Sequence, residues 1–119
     1  MLPKRYRLKN KNAFDATYKQ KKVLSNRLLT VYCGKKKPNE TATTKIGFVV
    51  SKKIHKRAVK RNRIRRLIRE ACRLLIKYGK FPQNHLSLIF LPKQSALSAD
   101  FNAVYSAVKH LAEKLRNCD

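Results

Sequence analysis

The chain has 119 residues, of which 30 are Lys or Arg and only 6 are Asp or Glu, so its formal net charge is +24. This length fits one domain, residues 1–119, and a hydrophobic content of 43% argues against wholesale disorder. Because so large a charge destabilises a compact chain, we expect a polyanionic partner, either nucleic acid or an acidic membrane surface.

The acidic residues and histidines predict no catalytic group. The acids are scattered, and no two pair along the chain as ligands for Mg²⁺, which weakens the case for a self-contained metal nuclease. The histidines fall in separate predicted elements and are interpreted as surface or core residues rather than as an acid and a base. We therefore expect neither catalytic residues nor a metal site. The residues concerned are Asp15, Glu40, Glu70, Asp100, Glu113, Asp119, His55, His85 and His110.

The cysteines and the first residues bear on the compartment. Cys33, Cys72 and Cys118 show no metal-ligand spacing and are odd in number, which favours reduced thiols. The basic residues 1–7 are followed by further charge instead of an apolar segment, and no run approaches the length of a membrane span. We expect a cytoplasmic protein without a membrane partner.

The first predicted element is a short helix over residues 10–19. Asn10 or Asn12 would be its N-cap, because Asn side chains accept hydrogen bonds from the first backbone N–H groups of a helix. Phe14 and Tyr18 stand four residues apart and therefore share one face of this helix.

Two strands are predicted next, over residues 28–33 and 45–51, which are rich in β-forming residues. The connection between them carries the triplet Lys35–Lys37 and then Pro38. Its shortness favours an antiparallel pair, although the same residues are compatible with a flexible basic loop.

The most periodic segment is residues 57–78, which predicts a long helix with one buried stripe. Gly79 is expected just beyond its end, and Pro82 indicates that the helix has stopped. The stripe consists of Ile64, Leu67, Ile68, Ala71, Leu74, Leu75 and Tyr78.

A buried strand over residues 86–91 and a final helix over residues 99–116, capped by Ser98, complete the chain. This order predicts a mixed sheet with helices on one face and the other face available. The apolar side of the final helix would be Phe101, Val104, Tyr105, Val108, Leu111 and Leu115.

The long helix predicts a cationic face opposite its apolar stripe. Residues 52–73 hold eleven of the basic residues against one acid, and residues 4–22 hold eight against one. A solvated face would interleave Glu with the cations, whereas here like charges stack and favour a counter-charge from a partner. Arg also offers a planar fork for phosphate. The cationic face comprises Arg57, Arg61, Asn62, Arg65, Arg66, Arg69 and Arg73.

Aromatic residues stand beside basic ones at Phe14, Tyr18, Tyr32 and Phe48. Unpaired bases stack on such rings while Lys side chains follow the phosphates. The alternative is that these rings belong to the core, and the alternation of Phe48 with Val49 suits that alternative.

The segments Ser51–Ile54 and Ala58–Glu70 resemble the signature of the protein subunit of bacterial ribonuclease P, and the resemblance extends over nearly the whole chain. The chain departs from many members in having His55 in place of Gly. It also carries the extra basic pair Lys56–Arg57, and it has Tyr18 where the family often has Phe.

The resemblance implies a two-layer α+β domain with a mixed sheet and a left-handed crossover around the long helix, similar to the second domain of a small-subunit ribosomal protein. It implies an accessory subunit of an endoribonuclease, whose catalytic RNA cleaves precursor tRNA with bound Mg²⁺. One protein per RNA would bind the 5′ leader and the RNA subunit and broaden the substrate range.

The resemblance also implies which residues bind each RNA. The residues expected to contact the RNA subunit are Arg57, Arg61, Asn62, Arg63, Arg65, Arg66 and Arg69. Those expected to line a cleft for the leader are Phe14, Tyr18, Tyr32, Ser51, Lys52 and Lys53. The main alternative function is a ribosomal or general RNA-binding protein. A membrane-active cationic protein is disfavoured, because the core needs the apolar stripe.

Overall fold

The computed structural model of the chain describes residues 3–36 and 43–116. The described part forms three α-helices, four strands and two short 3-10 helices, Lys4–Tyr6 and Gln94–Ser98. The α-helices are α1 (Lys11–Lys19), α2 (Ala58–Lys77) and α3 (Phe101–Arg116). The strands are β1 (Lys22–Ser25), β2 (Leu29–Cys33), β3 (Lys45–Phe48) and β4 (Ser87–Pro92).

The strands form one mixed sheet in the order β1-β2-β4-β3. β2 is antiparallel to β1 and β4, whereas β3 is parallel to β4. The predicted antiparallel pairing of β2 with β3 is therefore wrong, because β4 lies between them. A parallel pair needs a long crossover connection, and α2 supplies it between β3 and β4. β1, which is only four residues long, had no counterpart among the predicted elements.

The main core lies between one face of the sheet and the helices α2 and α3. Leu88 and Phe90 of β4 are fully buried and belong to the same apolar cluster as Ile64 and Ile68 of α2 and Val108 of α3. This confirms the α+β class and the predicted buried stripes. The buried side of α2 differs from the predicted stripe at two positions: Tyr78 is 60% exposed, and Cys72 is buried although it was not predicted to be.

The opposite face of the sheet is partly covered by α1, so not all helices lie on one face as the element order suggested. Strand alternation turns Ser87 and Ile89 toward this face. The hydroxyls of Thr17 on α1 and Ser87 hydrogen-bond to each other, with 2.5 Å between their oxygens. α1 packs against this face because the sheet covers its apolar side and the Ser87 hydroxyl pairs with the buried Thr17 hydroxyl.

Local hydrogen bonds fix where the helices begin. Asn10 is the N-cap of α1, since its Oδ1 accepts the N–H of Asn12 at 2.8 Å. The prediction that Ser98 caps the last helix is wrong, because Ser98 ends a 3-10 helix instead. The Asp100 carboxylate accepts the Ala103 N–H at 2.9 Å and is the better partner, because its negative charge also suits the helix N-terminus.

The end of α2 confirms the position predicted for Gly79. This glycine has a φ of +70°, and its N–H donates to the carbonyl of Ile76 at 3.1 Å. The next residue, Lys80, donates its N–H to the carbonyl of Leu75 at 2.8 Å. The pair of bonds forms a Schellman motif, which needs a left-handed residue at this position.

Two of the three cysteines lie in the described part of the chain. Cys33 and Cys72 are buried, and burial raises the pKa of the Cys72 thiol well above its ordinary value, which keeps it protonated. Cys118 lies outside the described residues.

Within residues 3–36 and 43–116, no helix combines the length and apolar character that crossing a membrane requires.

His85 is a fully buried histidine just before β4. Its Nδ1 lies 2.9 Å from the Oδ1 of Asn84, whose amide nitrogen donates to the carbonyl of Leu115 and so fixes the amide orientation. Its Nε2 has no hydrogen-bond partner among the described residues. Burial, followed by the charges of Lys22 and Lys36, lowers the pKa of His85, so the neutral ring is favoured.

Acid should therefore destabilise the fold through His85. Because the pKa of this histidine is lower in the folded chain than in the unfolded chain, stability is lost as pH falls through about 6.5 toward the folded value. We expect the urea midpoint to fall between about pH 7 and pH 5, and to fall less in a His85→Leu variant. Exposed His110 offers the matched control, since His110→Leu should retain the dependence; an equal dependence in all three chains would contradict this role.

Candidate nucleic-acid interface

The arginine-rich side of α2 faces away from the core. Ile64, Ile68 and Leu75 are fully buried, whereas Asn62 and Arg66 are exposed on the opposite side. The helix therefore separates its apolar and cationic residues as the spacing predicts. Its individual guanidinium groups nevertheless differ in what they contact.

Arg61 anchors the turn that leads into α2. Its Nη1 donates to the carbonyls of His55 at 2.9 Å and Lys56 at 2.8 Å. In the same turn, Nδ1 of His55 accepts the N–H of Arg57 at 3.0 Å. The residues that depart from the family pattern thus form a closed turn, and Arg61 is partly occupied in holding it.

Arg63 connects α2 to the start of the last helix. Its guanidinium donates to the carbonyls of Leu97 at 3.3 Å and Ala99 at 3.1 Å. These carbonyls lie at the junction between the 3-10 helix Gln94–Ser98 and α3. Part of the Arg63 side chain therefore has a structural role that the sequence pattern did not reveal.

Two further arginines on α2 have side-chain partners. Arg65 donates to Oδ1 of Asn62 at 2.7 Å. Arg73 pairs with Glu70 through its Nε, 3.1 and 3.0 Å from the two carboxylate oxygens, and through its Nη2, 2.5 Å from Oε1. Hydrogen bonding from Arg73 lowers the pKa of Glu70, which is therefore ionised at neutral pH. The single acid of the helix consequently offsets only one of its arginines.

The remaining cations on this surface are not neutralised within the described part of the chain. Arg57 and Arg66 are exposed and have no side-chain partner there. The guanidinium of Arg69 lies 5.6 Å from the centre of the Phe48 ring. Partial burial and then the nearby charges of Arg65 and Arg7 lower the pKa of Arg69. Several cations therefore lie close together around Arg69. Such a surface favours a polyanion.

The predicted leader residues Phe14, Tyr18 and Tyr32 come together on the sheet face that carries α1. The rings of Tyr18 and Tyr32 meet edge to face at 4.9 Å between centroids. Burial and the neighbouring Tyr32 raise the pKa of Tyr18, so its hydroxyl is neutral at physiological pH. Phe14 lies directly over Gly47, where a Cβ atom would stand 2.7 Å from the ring. Glycine is thus required for this ring to reach its place.

Phe48 and the triplet Ser51–Lys53 are placed differently from these three rings. Phe48 is half-buried: it is stacked with Phe90 of the core at 6.3 Å between centroids, and it also lines a groove together with Phe14 and Arg69, so it combines the core and surface alternatives. Ser51, Lys52 and Lys53 are exposed in a turn just beyond β3, closed by the Ile54 N–H, which donates to the Ser51 carbonyl at 3.1 Å. The parallel pairing places this turn at the end of the sheet where β4 also ends.

A groove of about 200 Å³ joins the two candidate surfaces. One side of it is Phe14 of the aromatic cleft, and another is Arg69 of the arginine helix. The N-terminal segment contributes Arg7 and Lys9, because the N–H of Leu8 donates to the carbonyl of Ile46 at 2.9 Å and holds this segment beside β3. The sequence signal for these residues was the basic stretch 4–22, but no periodicity pointed to the groove.

The chain resembles known proteins over nearly its full length. The family described as Ribonuclease P matches residues 2–116. The ribonuclease P protein component of Clostridium kluyveri is 37% identical over 109 residues, which are 92% of this chain and 93% of that protein. The component of Finegoldia magna is 34% identical over 118 residues, covering 98% and 96% of the two chains.

Solved structures agree in fold. The RNase P protein of Staphylococcus aureus matches with a TM-score of 0.73 and 27% identity, over 92% of this chain and 94% of that one. The RNase P protein of Thermotoga maritima gives a TM-score of 0.75 over 95% and 97% of the chains, and at 23% identity it supports the fold alone. With sequence, fold and full-length relatives in agreement, the chain belongs to the Ribonuclease P protein family.

Proposed function

We propose that the chain is the protein subunit of a ribonuclease P ribonucleoprotein that removes the 5′ leader from precursor tRNA. It binds the RNA subunit through the cationic side of α2 and the single-stranded leader in the cleft of Phe14, Tyr18 and Tyr32. The observation that carries this proposal is the groove between Phe14 and Arg69, which makes the two surfaces continuous. One protein molecule can therefore contact both RNAs along one continuous surface, which passes around the β3 edge of the sheet.

The cationic side of α2 suits a structured RNA. Arg57 and Arg66 present whole guanidinium groups to solvent, and each group can bind a phosphate with two parallel hydrogen bonds. Among the described residues, Arg61 and Arg65 donate through their Nη1 atoms, which leaves their other guanidinium donors available for further acceptors. Anchored guanidinium groups lose little side-chain entropy on binding.

The aromatic cleft suits an unpaired strand. Stacking on the rings requires bases that are free of a partner, as they are in a leader, and it tolerates different base sequences. The exposed turn with Lys52 and Lys53 supplies charge for the backbone of such a strand. Contacts of this kind add affinity for precursor tRNA over mature tRNA and broaden the range of substrates.

We place the chemical step in the RNA subunit, with Mg²⁺ bound mainly there. Within the described residues no three His, Cys, Asp or Glu side chains converge as metal ligands would, and Glu70 is paired with Arg73. The protein then acts by reducing repulsion between two polyanions and by holding the leader. A single protein per RNA in the cytoplasm completes the proposal.

The direct test is cleavage of a 5′-extended precursor tRNA at low Mg²⁺ and near-physiological salt. A bacterial ribonuclease P RNA alone, the protein alone and the mixture are compared, and we expect cleavage at the mature 5′ end in the mixture only. An inactive mixture, with RNA binding that ignores the leader, would favour a general RNA-binding or ribosomal role instead.

Removing two cations from α2 should weaken RNA-subunit binding and flatten its salt dependence. Because each lost phosphate contact removes about 0.7–0.9 from the slope of log K against log salt, Arg57→Ala with Arg65→Ala should reduce the slope by about 1.4–1.8. Filter binding across a salt series measures this change. Lys80→Ala with Lys114→Ala is the matched control, since it removes the same charge from exposed positions elsewhere.

Thermal unfolding separates binding from folding in this series. The double variant at Arg57 and Arg65 should unfold at the same temperature as the unmodified chain. Arg63→Ala should instead lower the free energy of unfolding by about 1–3 kcal/mol, because two backbone carbonyls lose a charged donor. A slope that changes equally in the lysine control would show that total charge, not the α2 surface, sets the affinity.

Removing the Phe14 ring should reduce discrimination between precursor and mature tRNA. A stacked base contributes about 1–3 kcal/mol to binding. Phe14→Leu should therefore weaken binding of leader-bearing tRNA to the holoenzyme roughly five- to hundredfold, whereas binding of mature tRNA should be nearly unaffected. The ratio of the two dissociation constants is the readout. Equal losses for both tRNAs would assign the ring to packing against Gly47.

A further inference from the structure

The segment between the turn Ser51–Lys53 and α2 joins the two candidate surfaces along the chain. It consists of Ile54, His55, Lys56 and Arg57. In the proposed function, the turn before this segment faces the leader and the helix after it faces the RNA subunit. The conformation of these four residues therefore sets how one surface is placed relative to the other.

The backbone of Arg57 is held on both sides of its Cα atom. Its N–H donates to Nδ1 of His55 at 3.0 Å, and its carbonyl accepts the N–H of Arg61 at 3.2 Å. Arg57 is the N-cap residue of α2 and has an extended backbone, with φ −78° and ψ 125°. Because both of its backbone polar groups are bonded, the direction in which the exposed Arg57 side chain leaves the backbone is set before any ligand binds.

Lys56 is held by a second set of hydrogen bonds in the same turn. Nη1 of Arg61 donates to the carbonyls of His55 at 2.9 Å and Lys56 at 2.8 Å. The imidazole of His55 thus closes the turn from one end and the guanidinium of Arg61 from the other. The Lys56 and Arg57 side chains are exposed and bind no other group in the described part of the chain.

Electrostatic repulsion opposes this turn, because the charged residues in and around it are all cations. They are Lys53, Lys56, Arg57 and Arg61. The sequence has no acid between Glu40 and Glu70, and Glu70 is paired with Arg73. The hydrogen bonds of the turn therefore maintain, without a ligand, a grouping of like charges that a polyanion would stabilise.

The His55 ring can hold the turn only in its neutral form. A backbone N–H can only donate, so Nδ1 accepts and the ring carries its proton on Nε2. A protonated imidazole has an N–H at both nitrogens and cannot accept. Protonation would therefore break the bond to Arg57 and add a further positive charge to the turn.

We propose that His55 is a positioning residue, whose neutral ring holds Lys56 and Arg57 in place to bind phosphates of the RNA subunit. This inference rests on the proposed function, since the ligand is the RNA subunit. It adds Lys56 to the contact surface, which the arginine pattern of α2 did not include. His55 itself does not contact the RNA.

Filter binding to a bacterial ribonuclease P RNA across a salt series separates positioning from contact. His55→Ala removes the acceptor, so binding must itself close the turn, and the affinity should fall roughly two- to tenfold, as for one neutral hydrogen bond. The slope of log K against log salt should stay unchanged, because the same phosphates are contacted in the complex. Lys56→Ala, which removes a contact, should reduce that slope by about 0.7–0.9.

Three results of the salt series would overturn the proposal. A smaller slope for His55→Ala would make the imidazole a direct contact, and an unchanged affinity would leave it without a role in binding. An unchanged slope for Lys56→Ala would remove this lysine from the contact surface.

His55→Asn tests whether the acceptor alone is needed. An Asn side chain accepts the N–H two residues ahead, as Asn26 already does for Leu28 at 3.1 Å. This variant should bind the RNA with the affinity of the unmodified chain, whereas the affinity of His55→Ala stays low. His110→Ala is the matched control, since it removes an exposed imidazole from α3 and should not change binding. Equal losses in both His55 variants, each folded by circular dichroism, would contradict the positioning role.

The pH dependence of binding supplies a readout that a purely structural role would not change. Between about pH 8 and pH 5.5 an imidazole takes up a proton, so the unmodified chain should lose affinity relative to His55→Asn by roughly two- to tenfold. Both chains retain His85 and His110, whose titration cancels in this ratio. A ratio that is constant with pH would refute the proposal. Tighter binding by the unmodified chain in acid would also refute it, because His55 would then act as a cationic contact.

Failure of this inference can be distinguished from failure of the proposed function. If the mixture of protein and RNA does not cleave precursor tRNA, both fail, because the inference needs the RNA subunit as its ligand. If the mixture cleaves normally and His55→Ala binds the RNA as the unmodified chain does, the subunit role stands and the positioning role alone is wrong.

Discussion

The structure depends on the opposite demands placed on the two sides of α2. Its apolar side must be buried between the sheet and α3, while its other side carries arginines that repel one another. Burial of Ile64, Ile68 and Leu75 provides the favourable term that holds this repulsive helix in place. The protein is thus folded by one side of α2 and prepared for a polyanion by the other.

Sequence patterns predicted the elements better than their arrangement. The stripe and end of α2 were evident because burial repeats at helical spacing and Gly79 marks a left-handed position. The strand order was not, because alternating residues show which side of a strand is buried but not which strand lies beside it. β1 was missed since four residues with only partial burial give little periodic signal.

The candidate site was predicted in its residue types and less in their contacts. The cationic side of α2 and the grouping of Phe14, Tyr18 and Tyr32 are present as expected. The structural hydrogen bonds of Arg61 and Arg63 were not foreseeable, because their acceptors are backbone carbonyls that leave no mark in the amino-acid pattern. A guanidinium that binds its own chain and one that is exposed without a partner look alike in sequence.

The N-terminal segment beside β3 has a consequence for self-association. β3 is an outer strand of the sheet, and an uncovered outer strand offers backbone groups on which another chain can add a strand. The contact between Leu8 and Ile46 occupies part of that edge, and Arg7 and Lys9 place positive charge along it. The segment that lines the groove thereby also protects the sheet from edge-to-edge aggregation, so the same few residues shape the groove and keep the sheet edge covered.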